Sequence, residues 1–266
     1  MAIRSALKKK LTSGNVVLGT FVSSDGVDMV EILGHSGFDF VVLDMEHAPG
    51  SPLSVMGQMR AAESRGMDVV VRLPDIERTT VLRTLDIGVS GVLATQVDGA
   101  GSVRSFLDVS LYPPQGSRGF ANTRATAYGF APIGDYIMDA NNNLLRVIQC
   151  ETERTVLDIE EIVGMQNVDL AFINPYGLSV SLGVLGDLFH PKMVEAVDKV
   201  LSASKQAGKA AGILVSTPEE TKKRIEQGFT FFIYSMDTLI FGKAARGIVG
   251  MMQELTAAAH RAQGTA

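Results

Sequence analysis

The chain has 266 residues, of which 46% are hydrophobic, and this is enough to fill the core of one large α/β domain or two small ones. Its formal net charge of −5 lacks the basic excess that a nucleic-acid-binding surface requires, and no apolar run approaches the length of a transmembrane helix. The single cysteine, Cys150, excludes an intrachain disulfide and fits a reducing compartment. We therefore predict a cytoplasmic protein with neither nucleic-acid nor membrane partners.

Eight short apolar segments are typical of strands buried on both faces of a parallel sheet. They cover residues 16–21, 40–44, 69–72, 91–94, 145–149, 170–173, 211–215 and 231–234. Helical patterns lie between most of them, and several of these patterns end near a glycine. This alternation predicts a single-domain (β/α)8 barrel, or TIM barrel. The alternative, a doubly wound open sheet, needs a phosphate-binding glycine turn after an early strand, and no convincing one is present.

Polar residues follow the second and third predicted strands, at the end of the barrel where such enzymes build their active sites. Asp44 and Glu46 lie close in sequence to His47, and a carboxylate beside an imidazole suits a general base. A loop histidine bonded to the backbone is an equally good interpretation. Arg72 ends the third strand, where it must meet a carboxylate or an anionic ligand; a structural ion pair with Asp86 or Glu46 is the alternative.

The longest irregular stretch covers residues 112–143 and contains Arg118, Arg124 and Tyr128. Long loops in compact domains usually carry function or are mobile. Because this loop follows the fourth strand, we expect it to lie over the catalytic face and to bind substrate through Arg118 and Arg124.

The fifth and sixth predicted strands also end in polar groups. Gln149 and Glu151 are two residues apart and therefore point to the same side; a carboxylate there suits a hard divalent cation, or alternatively a salt bridge at the barrel rim. Asn174 and Tyr176 follow the sixth strand. No lysine lies at a strand end, which excludes a Schiff-base aldolase.

These segments together resemble the HpcH/HpaI aldolase family of metal-dependent, class II pyruvate aldolases, over nearly the whole chain. The matching segments are Leu43-Asp44-Met45-Glu46-His47-Ala48, Val71-Arg72-Leu73-Pro74, Leu85-Asp86-Ile87-Gly88, Tyr112-Pro113-Pro114, Ser117-Arg118-Gly119, Gln149-Cys150-Glu151, Leu178-Ser179 and Ser181-Leu182-Gly183. The resemblance implies a TIM barrel of the phosphoenolpyruvate/pyruvate type. It also implies a homo-oligomer, a hexamer built as a trimer of dimers, with a C-terminal helix (about residues 238–266) exchanged between subunits.

The resemblance further implies retro-aldol cleavage of a 4-hydroxy-2-oxo acid to pyruvate and an aldehyde. His47, held by Asp44, would be the base, and Arg72 would stabilise the pyruvate enolate. Asp86 would help to organise the site, perhaps across a subunit boundary. Glu151 would bind the divalent metal, which oxygen ligands allow to be Mg²⁺, Mn²⁺ or Co²⁺.

Gln149 would line the site, and we expect Asn174, Tyr176 and Ser179 to contact the substrate. The chain departs from the family in one segment. The family's sixth strand is followed by Gly-Pro-Ala-Asp-Leu-Ser, in which the aspartate is the second metal ligand; here Gly177 stands at that position.

Three functions are compatible with this change. The first is an aldolase of reduced metal affinity, in which Glu151 is helped by Asn174 or water. The second is another lyase that uses Tyr176 as an acid or hydrogen-bond donor, and the third is a keto-acid binder without catalysis. Retention of His47, Arg72 and Glu151 argues against simple loss of function.

Overall fold

A computed structural model describes residues 6–264 and shows a closed barrel of eight parallel strands in chain order. Each strand pairs with the next, and the last closes onto the first. The predicted TIM barrel is confirmed, and all eight predicted strands are present with bounds that shift by two residues at most. The strands are β1 (Val17–Val22), β2 (Phe40–Asp44), β3 (Asp68–Arg72), β4 (Gly91–Ala94), β5 (Leu145–Cys150), β6 (Leu170–Ile173), β7 (Ala210–Val215) and β8 (Phe231–Met236).

Twelve α-helices accompany the strands in residues 6–264. Three of them, α1, α6 and α9, did not stand out in the sequence because they are short or lie inside the stretch that was predicted to be irregular. The helices are α1 (Ala6–Thr12), α2 (Val27–His35), α3 (Pro52–Ser64), α4 (Arg78–Leu85), α5 (Ala100–Ser110), α6 (Ile133–Asn143), α7 (Glu153–Leu157), α8 (Ile159–Gly164), α9 (Pro175–Ser181), α10 (Pro191–Gln206), α11 (Pro218–Gln227) and α12 (Asp237–Gly264), with a 3₁₀ segment at Arg124–Gly129.

The barrel interior explains why polar side chains meet at one end. Side chains alternate between the two faces of a strand, so residues two apart share a face. The interior core contains Val42 of β2, Val70 of β3, Val147 of β5 and Phe172 of β6. Two residues further along the same strands, the interior positions are Asp44, Arg72, Gln149 and Asn174. The apolar filling of the barrel therefore gives way to a polar layer at the carboxyl ends of the strands, which we call the mouth.

The long loop lies at the other end of the barrel, so the prediction that it covers the catalytic face of its own chain was wrong. The helix α5 separates the loop from β4 and returns the chain to the amino ends of the strands. There the backbone N–H of Ala125 donates to the carbonyl of Asp86 (3.2 Å), and Arg124 Nη1 donates to the carbonyl of Ile87 (2.9 Å).

The last helix leaves the barrel. Asp237 anchors its first turn by accepting hydrogen bonds from the backbone N–H groups of Ser23 and Ser24, but none of the residues 238–261 is buried. Its exposed apolar residues are Leu239, Phe241, Ile248, Val249, Met251, Met252 and Leu255. Residues 265 and 266 of the predicted C-terminal helix lie outside the described residues. In residues 6–264, no helix has the length and apolar character needed to cross a membrane.

Candidate active site

Arg72 and Asp44 form a buried, bidentate ion pair at the mouth. The strands β2 and β3 pair with Asp44 directly opposite Arg72. Arg72 Nε donates to Asp44 Oδ1 at 2.9 Å and Nη2 donates to Oδ2 at 2.5 Å, and both residues are only 5% exposed. The guanidinium also lies over the ring of Phe21, 4.4 Å from its centroid. These contacts fix the plane of the guanidinium and leave it with further N–H donors for a ligand.

The Asp44 carboxylate is stabilised in its charged form. Burial raises its pKa, but the hydrogen bonds and charge of Arg72, together with the backbone N–H groups of His47 and Glu46, outweigh burial and lower the pKa below the ordinary value of 3.8. Asp44 Oδ1 accepts from the backbone N–H of His47 (3.2 Å) and not from its imidazole. This differs from the prediction that Asp44 holds the imidazole.

Glu46 is the carboxylate nearest to the imidazole; the sequence analysis noted it beside His47 and as an alternative ion-pair partner of Arg72 but did not count it among the site residues. Its Oε2 lies 3.5 Å from His47 Nε2 and 3.6 Å from Arg72 Nε, while Gln96 Nε2 donates to its Oε1 at 2.8 Å. The Glu46 side chain is 6% exposed and the His47 side chain 67%. Gln96 has a left-handed backbone (φ 55°), a conformation that costs about 1–3 kcal/mol for a residue other than glycine. The proximity of Glu46 to His47 in sequence was the only available signal.

On the other side of the mouth, Glu151 lies among amides. Gln149 Nε2 donates to Glu151 Oε2 at 2.7 Å, and Asn174 Nδ2 donates to the same oxygen at 3.3 Å. Among the described residues, the buried atoms Glu151 Oε1 and Gln149 Oε1 have no hydrogen-bond partner. A buried acceptor without a partner is costly, so these two oxygens indicate a missing donor or cation.

Gly177 lies directly against this carboxylate. A Cβ added at Gly177 would be 3.0 Å from Glu151 Oε2 and 3.1 Å from Asn174 Nδ2. Its neighbour Tyr176 is half exposed, and its hydroxyl lies 3.4 Å from Ser216 Oγ after β7. Ser179 is fully buried instead of facing the mouth: its hydroxyl donates to the carbonyl of Tyr176 (2.7 Å) and accepts from the N–H of Gly186 (2.9 Å). The prediction that Ser179 contacts substrate is therefore replaced by a structural role.

A divalent cation fits this side of the mouth. The mouth brings together three carboxylates, those of Asp44, Glu46 and Glu151, but the single guanidinium of Arg72, so the formal charge of these side chains is negative overall. Residues 6–264 contain no group of three or more His, Cys, Asp or Glu side chains arranged around a metal position. A cation would therefore be held by the free oxygens of Glu151 and Gln149 with water or substrate, as Mg²⁺ is in many sites with one or two carboxylates. Burial raises the pKa of the adjacent Cys150 thiol to about 12, which favours the uncharged thiol in the free protein.

Three predicted site residues lie away from the mouth. Asp86 directly follows α4 and accepts from Arg118 Nη2 at 3.1 Å. Arg118 is 3% exposed and lies over the ring of Tyr112. Arg124 pairs with Glu63 of α3. Within a single chain both arginines hold the loop at the opposite end of the barrel, so the prediction that Arg118 and Arg124 bind substrate stays a prediction and requires the mouth of a neighbouring subunit.

Comparison with known proteins identifies the family of this chain. Residues 18–244 match the model of the HpcH/HpaI aldolase/citrate lyase family. The chain belongs to this family. It is 31% identical over 242 residues to a hydroxypyruvate/pyruvate aldolase of Roseovarius nubinhibens, with 91% of this chain and 94% of the relative covered. It is 29% identical to the 2-keto-3-deoxy-L-rhamnonate aldolase of Escherichia coli O157:H7, with 91% of each chain covered.

The same family appears among solved structures. A HpcH/HpaI aldolase/citrate lyase family protein from Burkholderia cenocepacia J2315 superposes with a TM-score of 0.89 at 31% identity, covering 93% of this chain and 99% of that one. The protein is thus an enzyme of the aldolase and lyase type, in a family whose class II aldolases generally depend on a divalent metal. Its mouth retains the buried arginine and one glutamate of the expected site and has Gly177 where the resemblance places a second carboxylate.

Proposed function

We propose that this enzyme cleaves a 4-hydroxy-2-oxo acid by a retro-aldol reaction, giving pyruvate and an aldehyde. The observation that carries the proposal is the contrast at the mouth between Arg72, whose guanidinium is held in place by Asp44, and the half-buried Glu151, whose buried Oε1 has no hydrogen-bond partner among the described residues. The first suits the negative charge that develops on a carbonyl oxygen, and the second suits a cation. An α-keto acid presents both requirements at adjacent atoms.

The reaction requires a proton transfer and a place for an electron pair. His47, exposed to solvent, would take the proton of the C4 hydroxyl, directly or through water. As the C4–O bond becomes a carbonyl, the C3–C4 bond breaks and its electron pair moves onto C3 and the C2 carbonyl oxygen. The remaining N–H groups of Arg72 would stabilise this enolate, which returns to pyruvate when C3 is protonated. Glu46 would orient the imidazole from the side opposite to the substrate.

The cation would be held by Glu151 and by Gln149, whose amide is already aligned with that carboxylate. When bound, it would supply Lewis-acid polarisation of the keto group. The oxygen-only ligands of this chain suit Mg²⁺, Mn²⁺ or Co²⁺.

Pyruvate release tests the proposed reaction. The purified full chain is incubated with a panel of 4-hydroxy-2-oxo acids, with Mg²⁺, Mn²⁺ or Co²⁺ or with a chelator, and pyruvate is measured by coupled reduction to lactate. We expect release from at least one acid that the chelator reduces and that Arg72→Ala abolishes. Release by Arg72→Ala at the wild-type rate, or none from any acid with any of the three metals, would contradict the proposal.

We also propose that the enzyme is a homo-oligomer in which α12 packs on a neighbouring subunit. In its own chain α12 leaves the barrel, and a cleft of about 510 Å³ remains beside the outer surface of β1 and β8, lined by Leu18, Pro218, Thr221, Ile225 and Tyr234. An amphipathic helix of a second copy would cover this cleft. Asp86 lies at the amino end of its own barrel, so any catalytic role for it requires a neighbouring subunit.

Light scattering after size exclusion measures this assembly. We expect a multimer, a hexamer if the family pattern holds, that Ile248→Lys with Met252→Lys converts to smaller species. A monomeric wild type at micromolar concentration would contradict the proposal. We further propose that the enzyme works in the cytoplasm; the buried, free thiol of Cys150 and the small polar substrate support this.

A further inference from the structure

Positions 174 and 177 compete for one space beside Glu151. Asn174 is the residue before α9 and Gly177 lies in its first turn, so the two are three residues apart and on the same side. A Cβ at 177 would stand 3.1 Å from Asn174 Nδ2 and 3.0 Å from Glu151 Oε2, closer than ordinary contact at both atoms. The backbone of Gly177 does not need glycine for its conformation, because its φ is not positive. Any side chain at position 177 would therefore be crowded by Asn174 and Glu151 together.

The Asn174 amide is placed as a ligand would be. It donates to Glu151 Oε2 (3.3 Å), the oxygen that Gln149 also contacts, and leaves Glu151 Oε1 unpaired. An amide has an oxygen and an NH₂ group of nearly the same shape, and rotation about its last torsion exchanges them at little cost. The same side chain can thus donate to the carboxylate in the free enzyme and turn its Oδ1 towards a cation. Fully buried Gln149, with its unpaired Oε1, points independently to a ligand at this place.

We propose that Asn174 is a cation ligand that takes the place of the carboxylate missing at 177, and that Gly177 exists to make room for it. The metal centre then consists of one carboxylate, Glu151, and neutral amide oxygens. This inference rests on the proposed function for the identity of the reaction, but the cation site itself can be measured without turnover. A neutral ligand in place of a charged one lowers cation affinity without abolishing it.

Titration of the metal-free full chain with Mn²⁺, followed by calorimetry and by the electron paramagnetic resonance of free Mn²⁺, tests the role of Asn174. We expect Asn174→Ala to weaken Mn²⁺ binding by about tenfold or more, and Asn174→Asp to strengthen it by about tenfold, since ligand charge sets affinity. Asn142→Ala, at an exposed asparagine of α6, is the matched control and should bind as the wild type does. Unchanged affinity in Asn174→Ala and Asn174→Asp would overturn the proposal.

A double variant tests the exchange between the two positions. Gly177→Asp alone should give little or no gain in Mn²⁺ affinity, because Asn174 occupies the space. Asn174→Gly together with Gly177→Asp should raise affinity by about tenfold above the wild type. An equal gain from Gly177→Asp with and without Asn174→Gly would show that the positions are independent and would overturn the proposal. Circular dichroism and the melting temperature of each variant identify any loss of fold.

The two proposals fail in different ways. If Mn²⁺ affinity responds to Asn174 as stated but no 4-hydroxy-2-oxo acid is cleaved, the reaction is wrong and the cation site stands. If pyruvate is released but the Asn174 variants bind Mn²⁺ with the affinity of the wild type, the proposed reaction stands and the inference about Asn174 is wrong.

Discussion

The carboxylates of Asp44 and Glu151 lie at the same end of one barrel but have opposite surroundings. Asp44 accepts from Arg72 through both oxygens and from two backbone N–H groups, so its charge is neutralised and all its partners are fixed. Glu151 meets only neutral amides on one oxygen and nothing on the other among the described residues. The first carboxylate serves to hold an arginine; the second has an incomplete set of partners, which a bound cation would complete.

The largest effect on activity should follow from changing Arg72, whose carboxylate partner Asp44 has a complete set of contacts. Arg72→Lys keeps the charge but loses the two-pronged pairing with Asp44, and we expect kcat/KM for pyruvate release to fall by about 10³-fold. Arg104→Lys is the matched control, because Arg104 pairs with Glu161 on the exposed surface and should leave kcat/KM unchanged. Activity of Arg72→Lys within tenfold of the wild type would show that the fixed geometry is unnecessary.

The pH dependence of stability gives the next effect. The folded-state pKa of Asp44 is lowered, so its stabilising charge is fully present above about pH 4 and is lost as the pH falls through the folded pKa. Asp44→Asn removes the closer charge partner of buried Arg72 and leaves only Glu46 at 3.6 Å, so it should cost about 3 kcal/mol of unfolding free energy at pH 7. Denaturant titrations at several pH values should show this difference shrinking below pH 4; a difference that is constant with pH would contradict the assignment.

A smaller effect separates activity from stability at Gln96. Gln96→Gly removes the hydrogen bond to Glu46 but relieves the left-handed backbone, which glycine adopts freely. We expect an unchanged or higher melting temperature and a loss in kcat of about tenfold, the size typical of a residue that orients another. Gln96→Glu, similar in shape but repelled by Glu46, should also lose activity. If Gln96→Gly retains wild-type kcat, Glu46 does not orient His47.

Much of this site could be predicted from the sequence, because a parallel strand buried on both faces has a readable apolar pattern. Asp44, Arg72, Gln149 and Glu151 were found where such runs end. Side chains alternate between the two faces of a strand, so once the interior residues are known, this alternation explains why Asp44, Arg72 and Gln149 share the mouth.

The other features of the site depend on the end of the barrel at which a loop lies and on contacts between neighbouring side chains, and residue patterns record neither. Arg118 and Arg124 were expected at the mouth because their loop was counted from β4, although α5 carries it to the opposite end. Gln96 lies outside any periodic element, and its role follows only from its contact with Glu46. The pairing of Asn174 with Gly177 became visible only when a Cβ was placed at position 177.

Calorimetric titration of the full chain with pyruvate, in the presence and absence of Mn²⁺, tests the account most directly when Glu151→Gln is measured in parallel. Glutamine and glutamate have almost the same shape, so the comparison isolates the effect of the charge of Glu151. We predict that pyruvate binds the wild type in the presence of Mn²⁺, and that binding is lost without Mn²⁺ or in Glu151→Gln. Equal pyruvate binding with and without Mn²⁺, or in the wild type and Glu151→Gln, would contradict a cation-assisted pyruvate site at this mouth.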